Sequence, residues 1–458
     1  MIFFNPDCYE GYRFPSMGML SIAATLESRG RKVEYIDANY AKDWAEQLDR
    51  AARDHEWFGI TANTLSIGPA IRVIEYVRKK YPSLKIIMGG PYPTVKYEEL
   101  IPEWADAVAI GEAEETVSEI EDGKPLREIA GLAFFDGSGI VSNGRRPLIE
   151  DLSALPFPAW HLGDVDKYRL EHTKRNPVLP MMTSRGCPYN CIFCASDIIF
   201  QNRIRYKKID TVMAEFDELT LKHGAREVHF WDDNFTLKRA RAEEICENLI
   251  KRRDRKVSIM IPSGIKPDIG DYEFFKLMRR AGFYALCIAV ETGDQEIMTK
   301  LGKKVDVSKV RGAISAARRA GILMNGFFML GLPFDTEESM RRNIEHARSL
   351  PLHQAMFFIV IPFPGTDLHD IAVKEGRFLF HNDRNMYEQG FFLGRAAYEM
   401  PGKFDAATLE KMFRLANRRF FYRPLTLLTL AFRRIHSPAH LLYLIRKFFR
   451  VVFRGRQF

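Results

Sequence analysis

Two stretches of the chain alternate short apolar runs with helix-patterned segments. This rhythm restricts the fold to α/β architectures built on parallel sheets. In residues 1–120 the runs MIFFN (1–5), KVEYIDA (32–38), WFGITAN (57–63), LKIIMGG (84–90) and AVAIG (107–111) read as strands. Helical patterns lie between and after them, at about 17–29, 41–54, 68–81 and 113–120. The pattern predicts a doubly wound, Rossmann-like, five-stranded parallel sheet, with a ligand crevice beyond the carboxyl ends of its strands. Those ends carry Asn5-Pro6, Thr64-Leu65-Ser66, Gly89-Gly90-Pro91 and Gly111-Glu112. Each turn alone reads equally well as a tight βα connection. Together they suit a large, flat ligand.

The alternation resumes from Leu179 with longer helices. LPMMTS (179–184), REVHFW (226–231), VSIMIP (257–262), YALCIAV (284–290), ILMNGFFML (322–330) and AMFFIVI (355–361) read as strands. Helical patterns fill about 208–223, 238–252, 271–281, 306–320 and 336–349. Six such units fit a partial, TIM-type (β/α)6 barrel whose chemistry sits at the strands' C-terminal ends. Between the two regions, GLAFFDGSGIVSNGR reads as a hairpin turning at Asp136-Gly137, and LPFPAW (155–160) as a surface crossing. The expected divisions are 1–125, 126–178, 179–375 and a mainly helical, basic 376–458.

Half of the six cysteines, Cys187, Cys191 and Cys194, fall within eight residues just past the first barrel strand. The chain has no run of about 18 apolar residues, and its N-terminus does not read as a signal peptide. A cytoplasmic location is therefore expected, where clustered thiols mean metal or catalysis rather than disulfides. Thiolates suit iron–sulfur clusters and zinc. A structural zinc wants a fourth ligand, and the nearest candidate, His172, precedes the strand. Three close thiolates can instead hold three corners of a cubane and leave one iron open.

The spacing C-x-x-x-C-x-x-C, with Phe193 before the third cysteine and the loop following the first barrel strand, resembles the signature of the radical S-adenosylmethionine (SAM) superfamily. The resemblance implies a [4Fe–4S] cluster on Cys187, Cys191 and Cys194, with SAM on the open iron. It also implies one-electron cleavage of SAM to a 5′-deoxyadenosyl radical. Further segments match in order. HFWDDNFT (229–236) resembles the segment that meets the SAM amino group, making Asp232 and Asp233 candidates. AVETG (289–293) resembles the segment whose glutamate, here Glu291, binds the ribose. GFFMLGLP (326–333) resembles the glycine-rich stretch along the adenosine, with Gly331 allowing close approach. IPFPGT (361–366), with Pro362, resembles the adenine-contacting turn. Singly, each carboxylate could be a helix cap or a solvated loop group.

The whole chain resembles the class of this superfamily with an N-terminal cobalamin (B12)-binding domain. That places Thr64, Ser66, Gly89, Gly90, Gly111 and Glu112 at the cobalamin. One departure stands out. The D-x-H-x-x-G cobalt-ligand motif is absent, its turn reading Asn5-Pro6-Asp7-Cys8-Tyr9-Glu10-Gly11, with no histidine before His55. A cobalamin without a lower histidine ligand and a domain that has lost cobalamin both fit that absence. The leading expectation is a methylase acting on an unactivated carbon of a hydrophobic or secondary metabolite. The alternatives are cyclisation, oxidation or carbon–carbon coupling, as in the anaerobic porphyrin-ring cyclases this class resembles, and a non-catalytic iron–sulfur electron carrier. An external flavodoxin- or ferredoxin-type donor is expected as partner.

The net charge of +8 is uneven: from Lys411 to Phe458 there are twelve Lys and Arg and no Asp or Glu, so the rest carries −4. Segment 418–458 mixes those cations with Leu, Phe and Ile at helical spacing. It reads either as a helix packed on the barrel with solvated arginines or as a peripheral membrane contact serving a lipid-like substrate. A nucleic-acid partner is not expected.

Overall fold

The computed structural model describes residues 1–7, 15–170, 173–252, 256–379 and 394–422, with isolated positions 442, 445 and 446. The expectations resting on Cys8, on His172 and on most of the basic tail lie outside these residues. Among the described residues no helix is long and apolar enough to cross a membrane. The chain divides into two compact units, Met1–Tyr168 with Ala195–Lys207, and Arg169–Cys194 with Lys208–Phe458.

The first unit is built on a seven-stranded sheet in the order β2-β1-β3-β4-β5-β6-β7. Strands β1 (Ile2–Asn5), β2 (Glu34–Asp37), β3 (Trp57–Thr61), β4 (Lys85–Gly89) and β5 (Ala107–Ala109) run parallel. The expected hairpin extends this sheet: β6 (Leu132–Phe135) and β7 (Ile140–Ser142) add two antiparallel strands. Asp136 closes their turn by accepting the Ser138 and Gly139 N–H groups. The order reverses direction at β1, so the carboxyl ends of β1 and β3 flank the switch point where such sheets bind ligands.

The core forms because the strands are apolar runs and the helices present one apolar face. Helix α1 (Met17–Ser28) starts at Ser16, whose hydroxyl caps Met19 N–H. Helix α2 spans Trp44–Ala51 and α3 spans Ile67–Lys80. Helix α3 buries Ile67, Ile71, Ile74 and Val77, an i, i+4, i+7 stripe. Phe4 packs between Trp44 (5.4 Å) and Phe58 (5.6 Å). Helix α4 (Pro91–Leu100) was not expected from its prolines. Pro91 opens it, at the position where a missing N–H costs nothing. Helix α5 spans Glu114–Glu121.

The second unit carries six parallel strands in sequential order. They are Val178–Met181, Glu227–Phe230, Ser258–Ile265, Phe283–Glu291, Leu323–Leu330 and Gln354–Ile359. The first and last strands are the sheet's two edges, so the barrel is partial, as expected. The intervening helices include Tyr272–Ala281, Val307–Arg319 and Glu337–Ser349, capped by Asp271, Asp306 and Thr336. Helix Ala406–Phe421 packs on the last strand through Phe420 and Phe357.

Candidate active site

The cysteine loop leaves the first barrel strand and is tied down along its length. Asp232, just past the second strand, is fully buried and accepts from Thr183 N (3.1 Å), Thr183 Oγ1 (2.7 Å) and Ser184 Oγ (2.6 Å). Asp233 accepts the Gly186 N–H at 3.0 Å. Farther along, Ile192 N donates to Leu301 O (3.1 Å), and Ile192 O accepts from Leu368 N (2.8 Å). Cys194 N donates to Cys191 O at 2.9 Å, folding the second and third cysteines back on each other. Gly302, at φ +71°, runs so close beneath that any side chain there would collide with the Asn190 carbonyl. Residues following the second, fourth and sixth strands therefore hold a loop that follows the first.

The three thiols are half-buried, and none forms a disulfide. Burial pushes the Cys187 thiol up from its ordinary value, against donation from Tyr189 N–H and the Asn234 amide and the charge of Lys303. Burial likewise pushes Cys191 up to about 11, opposed by Lys303. Glu291, at the end of the fourth strand, has φ +61°, a strained conformation for a non-glycine residue. Asn343 Nδ2 holds its carbonyl at 3.0 Å. Lys303 Nζ lies 2.6 Å from Glu291 Oε1 and 2.7 Å from Ala289 O, and 5.9 Å from the Phe193 ring centre. Pro362 is buried in the turn that leads to Thr366. Thr366 caps the helix whose Leu368 N–H reaches the cysteine loop.

Several of the expected site residues already have partners within the protein. Asp232 was paired with Asp233 as a partner for the SAM amino group, but its carboxylate is sealed against Thr183 and Ser184. Asp233 keeps part of its surface. Gly331 was expected to admit adenosine. Its N–H goes to Asp335 (3.1 Å), its carbonyl accepts the Tyr398 hydroxyl, and Leu409 occupies the room a Cβ would fill.

In the first unit, Asn63 Oδ1 accepts Leu65 N (2.8 Å) and Ser66 N (3.0 Å), shaping the turn that carries buried Thr64 and Ser66. Gly90 has φ +99°, and a Cβ there would stand 2.6 Å from Ala62 O. Gly89 faces only Ala109 at 3.9 Å. Gly111, at φ +82°, has open space where a Cβ would be, and its N–H donates to Thr94 Oγ1. Glu112 is already engaged inside the fold. Its side chain is 5% exposed and pairs with both Arg205 terminal nitrogens (2.7 and 3.1 Å), and it also accepts Ile149 N.

The cysteine loop fits a cubane by its donor set. Three thiols outside any disulfide stand on one tethered loop, and the Asn234 Oδ1, one residue past the Asp233 that holds this loop, is buried without a hydrogen-bond partner. Among the described residues no three carboxylate, imidazole or thiol side chains are placed to hold a single metal ion. A cubane puts its three thiolates on three different irons and needs no such convergence. Two residues that the motif reading passed over belong to this neighbourhood. Asn234 stood inside the quoted HFWDDNFT, beside the carboxylates that drew the attention. Lys303, in a Lys-Lys pair after a short helix, reads as an ordinary solvated charge.

Comparison with known proteins identifies both units. Residues 181–347 match the model of the Radical SAM superfamily, and residues 10–121 match that of the B12 binding domain. The chain carries a B12-binding domain followed by a radical SAM domain. Its two domains make it an enzyme whose cofactors are a [4Fe–4S] cluster, SAM and cobalamin. An uncharacterized methyltransferase of Pyrococcus horikoshii is 29% identical over 381 residues, covering 82% of this chain and 80% of its own. The anaerobic magnesium-protoporphyrin IX monomethyl ester cyclase of Rubrivivax gelatinosus is 27% identical, covering 80% and 69%. The fold is shared with the radical SAM methyltransferase TsrM of Kitasatospora setae, with TM-score 0.73, 17% identity and coverage of 90% and 88%.

Proposed function

We propose that this enzyme transfers a methyl group to an unactivated carbon of a hydrophobic or secondary metabolite. The observation that carries the reading is the tethered loop of three thiols, in a chain whose other unit is a B12-binding domain. When bound, the cluster and SAM supply a radical that abstracts a hydrogen atom, and cobalamin supplies the methyl group. The chain's own residues bind and orient. Cys187, Cys191 and Cys194 hold the cluster. Asp233, rather than Asp232, is left to face the SAM ammonium, a charge-assisted pairing. Glu291, fixed through one oxygen by Lys303, offers the other to the ribose hydroxyls. Phe193 and the turn around Pro362 flank the adenosine. Thr64, Ser66, Gly89, Gly90 and Gly111 line the path of the cobalamin nucleotide tail, with Gly90 setting the turn. A flavodoxin- or ferredoxin-type protein supplies electrons. A lipid-like substrate met at a membrane surface would suit the basic segment 418–458.

The cyclase relative favours a second reading, ring closure without methyl transfer. One experiment separates them. The reduced, cofactor-loaded protein is given SAM and the products are quantified. Methyl transfer consumes SAM by two routes and yields both 5′-deoxyadenosine and S-adenosylhomocysteine. 5′-Deoxyadenosine alone would overturn the methylase reading and leave the cyclase one.

A further inference from the structure

The last two strands of the barrel are covered unevenly on their two faces. On the fifth strand Met324, Phe328 and Leu330 are buried, and on the sixth Ala355, Phe357 and Ile359. These positions face the helices: Phe328 lies 5.4 Å from Phe357, and Phe357 lies 6.3 Å from Phe420 of helix Ala406–Phe421. Side chains alternate between the faces of a strand, so Phe327, Met329, Met356 and Phe358 point into the barrel. All four are only half-buried. Parallel pairing sets Phe327 beside Met356 and Met329 beside Phe358. The Phe327 and Phe358 rings meet edge to face at 5.7 Å. A closed barrel fills its interior with such side chains; here the filling stops short. One step down the same face Cys287, Asn325 and Gln354 are buried, and Asn325 Nδ2 donates to Cys287 Sγ at 4.0 Å. The wall therefore has a floor.

The wall is continuous with the cofactor site. Phe327 pairs with Ala289, two residues before Glu291, and the Ala289 carbonyl accepts Lys303 Nζ at 2.7 Å. Beside them Gly264, at φ +99°, brings no side chain; a Cβ there would stand 3.3 Å from the Ala289 Cβ and 3.4 Å from the Phe327 ring. Gly264 and Ala289 thus leave the surface next to Phe327 flat. The side chains of this wall carry no charge. Ring edges and methionine sulfurs favour an aromatic ring over a saturated one of the same skeleton. We propose that Phe327, Met356 and Phe358 are specificity-determining residues, and that they select a flat, uncharged aromatic ring of the substrate. This deepens the reading of the barrel as acting on a hydrophobic metabolite and rests on it.

The test is anaerobic equilibrium dialysis of the cofactor-loaded protein against 1-naphthol and, separately, against its saturated counterpart decahydro-1-naphthol. Wild type is compared with Phe327→Ala, Phe358→Ala and Met356→Ala, with iron per chain and melting temperature read on the same samples. Wild type should bind 1-naphthol about threefold more tightly than the saturated alcohol, although the saturated skeleton offers more apolar surface to bury. Phe327→Ala and Phe358→Ala should each weaken 1-naphthol binding at least about tenfold, and Met356→Ala by less. Wild-type affinity in both phenylalanine variants, or no binding of 1-naphthol by the wild type, would overturn the proposal. Equal or tighter binding of the saturated alcohol would overturn it as well. Should one phenylalanine variant lose its iron or melt early, the other decides. Dialysis reads binding without turnover, so a methyl-transfer reading that failed on its products would leave this result standing.

Discussion

Arg205→Met should cost the first unit about 3–5 kcal/mol, the usual penalty for stripping one partner from a buried ion pair. The Arg205 and Glu112 side chains are 4% and 5% exposed, and they meet through two N–H···O contacts of 2.7 and 3.1 Å. Arg205 also donates to Ile149 O at 2.6 Å, a bond worth about 1 kcal/mol. After the substitution Glu112 keeps the Ile149 N–H but loses the Arg205 guanidinium while still buried. Glu112→Gln should be milder, because the amide keeps an acceptor for Ile149 N and carries no buried charge. The double variant should recover about 2 kcal/mol relative to Arg205→Met, a coupling in the range seen for contacting residues. Urea unfolding followed by tryptophan fluorescence is a suitable assay. Trp44, Trp57, Trp104 and Trp160 lie in the first unit and Trp231 in the second. A loss under about 1 kcal/mol, as for an exposed pair, would refute the reasoning and reopen Glu112 as a ligand contact.

Gly302→Ala should distort the cysteine loop, since its methyl group collides with the Asn190 carbonyl at a positive φ; iron retained after reconstitution should fall, and wild-type iron would show that the tether is slack. Asp232→Ala should destabilise the barrel by about 3 kcal/mol, whereas Asp233→Asn should spare the melting temperature and weaken SAM binding in a titration; equal effects would erase the distinction drawn between them. Burial pushes the Asp335 carboxyl from 3.8 up to about 6. The unfolded chain therefore releases this proton first, and the stability it contributes below pH 4 is lost as the pH rises to about 6. Asp335→Asn should lack that decline, so parallel melting curves for the two proteins across pH 4–7 would contradict it.

The strands and helices of both units were legible because each is a strongly periodic apolar pattern, and their ends fall close to the expected residues. Helix α4 escaped because Pro91 and Pro93 mark turns as readily as they open helices. What sequence could not reveal was which polar groups at the strand ends are already taken. Glu112 looks outward until Arg205, 93 residues later, closes on it. Gly331 looks like an open approach until Leu409 fills it. Asp232 and Asp233 are neighbours with opposite fates, because Thr183 and Ser184 fold onto only one of them. The cysteines were readable since their spacing is itself the constraint. Lys303 was not, because its place beside Glu291 and Phe193 comes from the fold rather than from a motif.

The most direct test of the account is a cofactor inventory of protein purified anaerobically with cobalamin supplied: iron, sulfide and cobalt per chain, in wild type and in Cys187→Ala, Cys191→Ala and Cys194→Ala. The account predicts about four irons, as one cubane requires, with about one cobalt in the wild type. Each variant should lose its iron and its SAM cleavage while keeping cobalt. Wild-type iron and SAM cleavage in any of the three variants would contradict the assignment of the cluster to this loop.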